Sequence, residues 1–444
     1  MLNNSTDTMN NTINETEEAK TMKSGQHQHI FGTFEKLDFL AASKRLQPIC
    51  THTPLQLHAQ LSLKYDCKLY LKREDLQIVR SYKLRGAYNM MSSVPAEILN
   101  KGVVCASAGN HAQGFAFSCK SLKCRGVIYM PVTTPKQKII QTQMFGENWI
   151  QIRLEGDTFD DCAAAAERYT KDHDLLFIPP FNNLKIIEGQ GTVGVEILRD
   201  LQNIDYLFLP VGGGGLAAGV SAYFHTNSPQ TKIIGVEPEG APSMKMALEA
   251  GHPVTLDTID RFVDGAAVKK VGDIPFTICK YTLHAIQLAP EGKICTAILK
   301  LYNEDAIVVE PAGALSIVAL DYYADQLRGK TVVCIVSGSN NDIDRMPEIK
   351  ERSLQYEGLK HYFLINFAQR PGALKNFVNE ILGPTDDITR FEYLQRTNKE
   401  VGPALVGMEL NNRDDYEALI KRLQGAKINF TEINKNDSLF GYLV

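Results

Sequence analysis

From about residue 67 to 340, short runs of β-branched and aliphatic residues alternate with longer stretches of helical pattern. The runs CKLYLKRE (67–74), VVCASA (103–108), RGVIYMP (125–131), WIQIRLEG (149–156), YLFLPVG (206–212), KIIGVEPE (232–239) and TVVCIVSG (331–338) predict strands. HAQGFAFSCKSLK, FDDCAAAAERYTKDHD and AGALSIVALDYYADQL predict helices between them. Nearly all-apolar strands joined through helices imply a parallel sheet covered on both faces, so the pattern predicts a large doubly wound α/β unit.

The last 85 or so residues carry another pattern. HYFLINFA (361–368) predicts a strand, RPGALKNFVNEIL (370–382) a helix with Pro371 near its first turn, and ITRFEYLQR and PALVGMEL two more strands. A helix in DDYEALIKRLQG and a closing strand in KINFTEIN complete the order βαββαβ, the ferredoxin-like arrangement of a small α+β domain. These patterns divide the chain into a disordered tail (1–30), a catalytic unit (31–345), a polar helical connector (346–359) and a C-terminal domain (360–444). The tail is rich in Asn and Thr, and it lacks the apolar stretch of a secretory signal. Its acids Asp7, Glu15, Glu17 and Glu18, with no arginine, argue against an organelle transit peptide.

A formal charge of −4 gives no basic footprint for nucleic acid or an anionic membrane, which leaves a small molecule as the expected partner. No apolar run reaches the roughly 18 residues of a membrane span. Nine scattered cysteines without a C-x-x-C pair read as buried thiols in a reducing compartment, so a soluble cytoplasmic protein is expected.

Four short motifs carry the chemistry. In SYKLRGA a lysine, Lys83, is crowded by Ser81, Tyr82, Gly86 and Ala87, and it is either a surface charge or a nucleophile. In ASAGNHAQG, Ser107, Ala108, Gly109, Asn110 and His111 join a strand to a helix, at the strand end where open α/β sheets bind ligands. Asn110 is there either a helix cap or a ligand, and a lone histidine such as His111 is more often structural than catalytic. Gly212, Gly213, Gly214 and Gly215, followed by Leu216, lie between an apolar strand and an apolar helix, where backbone amides can cradle a phosphate. An ordinary turn is the plain alternative. The spacing of Gly213, Gly215 and Ala218, with Glu237 ending the next strand, also fits a dinucleotide site, which makes an NAD(P) oxidoreductase the rival reading. In VSGSNND, Ser337 is either a helix-entry serine or a hydroxyl offered to a heterocyclic nitrogen, and Glu310 in VVEPAGA ends another strand at the same rim.

One ligand answers all four motifs: pyridoxal 5'-phosphate has an electrophilic carbon for a lysine, a phosphate, a ring hydroxyl and a ring nitrogen. With LKREDLQ (71–77) and IIEGQGTVGVEI (186–197), the motifs resemble the serine/threonine dehydratases, a family of fold-type II pyridoxal-phosphate enzymes, over about residues 35 to 350. The C-terminal stretch containing NFAQRPGALKNFV resembles a single copy of that family's ACT-like regulatory domain.

The resemblance implies a tryptophan synthase β-like fold of two parallel-sheet lobes and deamination of L-threonine, with L-serine a poorer alternative. Lys83 would carry the cofactor and act as base. Asn110 would face the ring hydroxyl, Gly212 to Gly215 with Leu216 the phosphate, and Ser337 the ring nitrogen. The cofactor phosphate would protonate the leaving hydroxyl, and Ser107, Ala108, Gly109 and His111 would clamp the substrate carboxylate. Serine racemases of this scaffold carry a serine where this chain has Ala108, which favours elimination. Their divalent-cation position corresponds to Glu237, Ala241 and Ser243, where the third acid is missing, so no metal is expected. The regulatory domain implies isoleucine as inhibitor with valine opposing it, Arg370 as a carboxylate contact or a plain turn residue, and a homotetramer.

Overall fold

The computed structural model describes residues 36–393, 400–434 and 440. The expected 1–30 tail lies outside the described residues, as does the end of the predicted strand ITRFEYLQR. Among the described residues, ten strands precede the helix Met346–Tyr356: β1 (Leu55–Leu57), β2 (Lys68–Arg73), β3 (Val103–Ala106), β4 (Gly126–Met130), β5 (Ile150–Leu154), β6 (Leu176–Phe177), β7 (Tyr206–Pro210), β8 (Lys232–Pro238), β9 (Ala285–Ala289) and β10 (Thr331–Val336). They form two sheets, a six-stranded one in the order β1-β2-β10-β7-β8-β9 and a four-stranded one in the order β5-β4-β3-β6. Every pairing is parallel except that of the edge strand β1 with β2.

Burial on both faces explains why these strands read as apolar runs. Val332, Cys334 and Val336 of β10 enter one core cluster with Phe208, Ile294 and Leu315, while Val333 and Ile335 enter another with Leu207, Val193 and Leu216. The period of two is present, but both halves of it are hydrophobic. All seven predicted strands of this region form. The edge strand β1, the two-residue β6 and the half-buried β9 were not predicted; short or partly exposed segments carry too few apolar positions to show a period.

The last part contains β11 (Lys360–Ala368), β12 (Asp387–Tyr393), β13 (Val401–Glu409) and β14 (Phe430–Glu432), with helices Ala373–Ile381 and Asp415–Gly425. The antiparallel order β12-β13-β11-β14 is that of the ferredoxin-like βαββαβ arrangement. The first of these helices starts at Ala373, three residues later than predicted, because Gly372 at φ 82° stands outside the helix and leaves Pro371 in the preceding turn.

Candidate active site

Four chain reversals place the chemistry at strand carboxyl ends. The segment after β2 leads into the helix Lys83–Ser92, β3 leads into Asn110–Leu122, β7 into Gly215–Asn227, and Ser337 directly follows β10. Ser81 bridges Gly338, and the Tyr82 amide donates to the Ser337 carbonyl at 3.2 Å, which ties the lysine segment to the end of β10.

A cavity of about 630 Å³ lies between the two sheets, lined by Lys83, Ser107 to His111, Gly213, Glu310 and Asn340, and closed on one side by the stretch from Thr255 to Lys270. Lys83 Nζ sits 3.5 Å from the Pro180 carbonyl and 5.5 Å from the centre of the Tyr82 ring. Burial pulls its pKa down to about 8, against the opposing pull of the Glu310 carboxylate. A substantial fraction of this amine is therefore neutral near physiological pH, as a nucleophile and base must be.

Asn110 is the first residue inside its helix, with Gly109 at the cap, so the simple capping alternative does not hold. Its Nδ2 donates to Glu310 Oε1 at 2.7 Å, and its Oδ1 accepts from Asn340 Nδ2 at 2.6 Å, which fixes the amide's orientation. Burial, and next the neighbouring Asp264, raise Glu310 to about 7, partly offset by the Asn110 hydrogen bond. His111 donates Nε2–H to the Ile178 carbonyl at 2.9 Å. Burial first and the Lys83 charge second lower its pKa to about 3, so it is a neutral imidazole whose buried Nδ1 has no protein partner. Ser107 Oγ accepts from the Gly109 amide at 3.3 Å and holds the turn. The helix's first hydrogen bond runs from Gln113 N–H to Gly109 O, leaving the amides of Asn110, His111 and Ala112 without helical acceptors.

The glycine run is built for close approach. A Cβ on Gly212 would lie 2.9 Å from the Ala266 Cα, one on Gly213 would collide with Phe181 Cδ1, and Gly214 adopts φ 89°. The first helical bond here is Ala218 N–H to Gly214 O at 2.8 Å, so the amides of Gly215, Leu216 and Ala217 have no helical acceptors at the positive end of the helix dipole. Of this run only Gly213 lines the cavity; Gly212, Gly214, Gly215 and Leu216 lie behind it, and Ser337 is buried just beyond β10. Arg370 is far along the chain from all of these, exposed on the turn before Ala373.

This donor set fits pyridoxal phosphate: a partly neutral lysine amine in the cavity, a side-chain-free helix N-terminus for the phosphate, and an oriented amide at Asn110. The dinucleotide alternative fits less well, because both Glu237 oxygens are engaged by the Met244 and Lys245 amides at 2.7 and 2.9 Å. Glu237 is a buried helix-capping carboxylate, raised to about 8 mainly by that burial. The sequence did not single out Phe181, Asn340 or the 255–270 wall, since each acts through a contact distant in the chain.

The profile of the pyridoxal-phosphate dependent enzymes matches residues 46–338, and that of the C-terminal regulatory domain of threonine dehydratase matches residues 351–443. The biosynthetic L-threonine dehydratase of Halalkalibacterium halodurans is 56% identical over 414 residues, covering 93% of this chain and 100% of that protein. The processed form of threonine deaminase isoform 2 from Solanum lycopersicum superposes with a TM-score of 0.69 at 40% identity, over 73% of this chain and 94% of that one. The serine racemase of Dictyostelium discoideum does so with 0.64 at 29%, over 69% and 98%. The chain belongs to the pyridoxal-phosphate dependent enzyme family, in the threonine dehydratase branch that carries a C-terminal regulatory domain.

Proposed function

We propose that the protein deaminates L-threonine to 2-oxobutanoate and ammonia, the entry reaction toward isoleucine, and that L-serine is a slower substrate. The observation that carries this reading is the partly neutral Lys83 amine in one cavity with Asn110 and His111, whose helix-terminal amides have no helical acceptors.

Pyridoxal phosphate, when bound, supplies an electron-withdrawing ring that stabilises the electron pair left on Cα. Lys83 would hold the cofactor through its amine and, as the buried base, would take the Cα proton of the substrate. The amides at the start of the Asn110–Leu122 helix hold the substrate carboxylate, favoured by the helix dipole. Neutral His111 adds no charge there, and its Nδ1 can accept a hydrogen bond. Gly212 to Gly215 and Leu216 would hold the phosphate, Asn110 the ring hydroxyl and Ser337 the ring nitrogen. Loss of the β-hydroxyl as water leaves 2-aminocrotonate, which tautomerises; water then returns in hydrolysis, so the balance is threonine to 2-oxobutanoate plus ammonia. Ala108 offers no hydroxyl to reprotonate the opposite face of Cα, which favours elimination over racemisation.

Within this reading, residues 31–345 are catalytic, 346–359 connect, and 360–444 regulate, with isoleucine as inhibitor, valine opposing it, and Arg370 at the effector carboxylate. A cytoplasmic homotetramer is the expected assembly; among the described residues no helix is long and apolar enough to cross a membrane. Incubation with L-threonine and pyridoxal phosphate should yield ammonia and 2-oxobutanoate in equal amounts. D-threonine or D-serine as the main product would replace this reading with racemisation, and a colourless protein that binds NADH would replace it with the oxidoreductase.

A further inference from the structure

The helix Met346–Tyr356 faces three ways. Ile349 is fully buried among Ile294, Cys295 and Ile298, and Ser353 shares a hydrogen bond of 2.9 Å with Thr296, so one face packs on the helix Glu291–Asp305. Gly292 permits this approach, since a Cβ there would collide with Tyr356. A second face meets the regulatory sheet. The Tyr362 hydroxyl of β11 donates to Glu351 Oε1 at 2.8 Å, and buried Lys360 lies 3.9 Å from Glu351 Oε2.

The third face reaches the active-site wall. Arg352 lies over the Phe262 ring with its guanidinium carbon 4.4 Å from the ring centre, and Arg345, just before the helix, does the same at 4.9 Å. Arg345 also donates to the Phe262 carbonyl at 2.7 Å and lies 3.6 Å from Asp264, while Arg352 lies 3.5 Å from Asp260. Glu348 accepts from Arg352 Nε at 2.9 Å and keeps that guanidinium in place. Phe262 is almost fully buried, and the residues around it are the wall of the cavity: Ile259, Arg261, Asp264, Gly265, Ala267 and Val268.

That wall touches the chemistry at two points. Ala266 packs against Gly212 so closely that no side chain fits between them. Asp264 pairs with Lys138 of the other lobe and adds to the charge that raises Glu310. A shift of Phe262 therefore moves both the glycine run and the pair that spans the two lobes.

We infer that Arg345 and Arg352 are positioning residues that hold Phe262, and that through them the helix Met346–Tyr356 transmits the state of the regulatory sheet to the 257–268 wall of the cavity. The inference rests on the reading above for what the cavity does. Adjacency alone does not establish coupling, so the test perturbs the far end of the chain of contacts.

Amide hydrogen exchange is followed in the cofactor-loaded protein and in Tyr362→Phe, Arg352→Ala and the double variant. Tyr362→Phe, which touches nothing in the cavity, should speed exchange across 257–268 by about threefold and raise the half-saturating L-threonine concentration similarly, with kcat kept within about twofold. Arg352→Ala should do the same, the double variant no more than Arg352→Ala alone, and Arg352→Lys, which keeps a cation over the ring, should stay close to the parent. Unchanged exchange in 257–268 in Tyr362→Phe overturns the inference, and so do independent, additive effects in the double variant. Exchange needs no turnover, so a protein that makes no 2-oxobutanoate defeats the functional reading while the exchange data still decide this one.

Discussion

At the scale of single residues, the chemistry turns on two buried groups with opposite displacements. Lys83 is held near pH 8 by burial, so capture of pyridoxal phosphate by the cofactor-free protein should speed up with pH to about 8 and then level off. An ordinary surface lysine would go on gaining toward its usual 10.5, and a stopped-flow pH profile distinguishes the two. Glu310 is displaced upward to about 7, so folding favours its protonated form. Its contribution to stability is complete below pH 4.5 and is lost as pH rises through about 7. Glu310→Gln, which can still accept from Asn110, should remove that decline from the denaturation profile of the cofactor-free protein. Lys83, Asn110 and the glycine run were legible in the sequence because each sits in a local motif whose neighbours already imply a turn at a strand end. The tie between Asn110 and Glu310 was not legible, since the two are 200 residues apart and Glu310, expected at the end of a strand, is instead the N-cap residue of the helix Pro311–Val318 with no strand directly before it.

Among the elements, the helix that starts at Lys83 is fixed by close crossing and by charge. A Cβ on Gly189 would collide with the Arg85 carbonyl, so the helix Leu184–Asp200 approaches it backbone to backbone. Gly189→Ala should destabilise the protein by about 2 kcal/mol through overpacking, measured by denaturant unfolding. Arg85 is fully buried and donates to Glu74 at 2.8 Å and to Glu196 at 2.7 Å, while Lys72 reaches Glu196 at 2.6 Å. Arg85→Ala strands the buried Glu74 carboxylate and leaves Glu196 to Lys72 alone, and a loss of about 3–5 kcal/mol is expected. Sequence patterning found the seven strong strands and both C-terminal helices, whose cores are continuous. It gave no sign of the buried ionic cluster, because a charged residue in SYKLRGA or LKREDLQ reads as solvated until its partners are known.

For the whole molecule, the arrangement is a cavity between two parallel-sheet lobes with a regulatory sheet attached through one helix. Feedback by isoleucine is expected to act on substrate affinity more than on the chemical step, because the helix reaches the cavity wall and leaves Lys83 untouched. Raising L-isoleucine should therefore shift the L-threonine saturation curve to higher concentration with little change in its plateau. In the proposed deamination of L-threonine, Lys83 has a dual role, as cofactor-bearing amine and as base. That role is tested most directly by 2-oxobutanoate formation from L-threonine in the parent protein and in Lys83→Ala, with the circular dichroism of both recorded. Steady product and a yellow band are expected for the parent, and neither for Lys83→Ala at unchanged helical content. A folded Lys83→Ala that still forms 2-oxobutanoate at the parent's rate, or a cofactor-loaded parent that forms none, would contradict it.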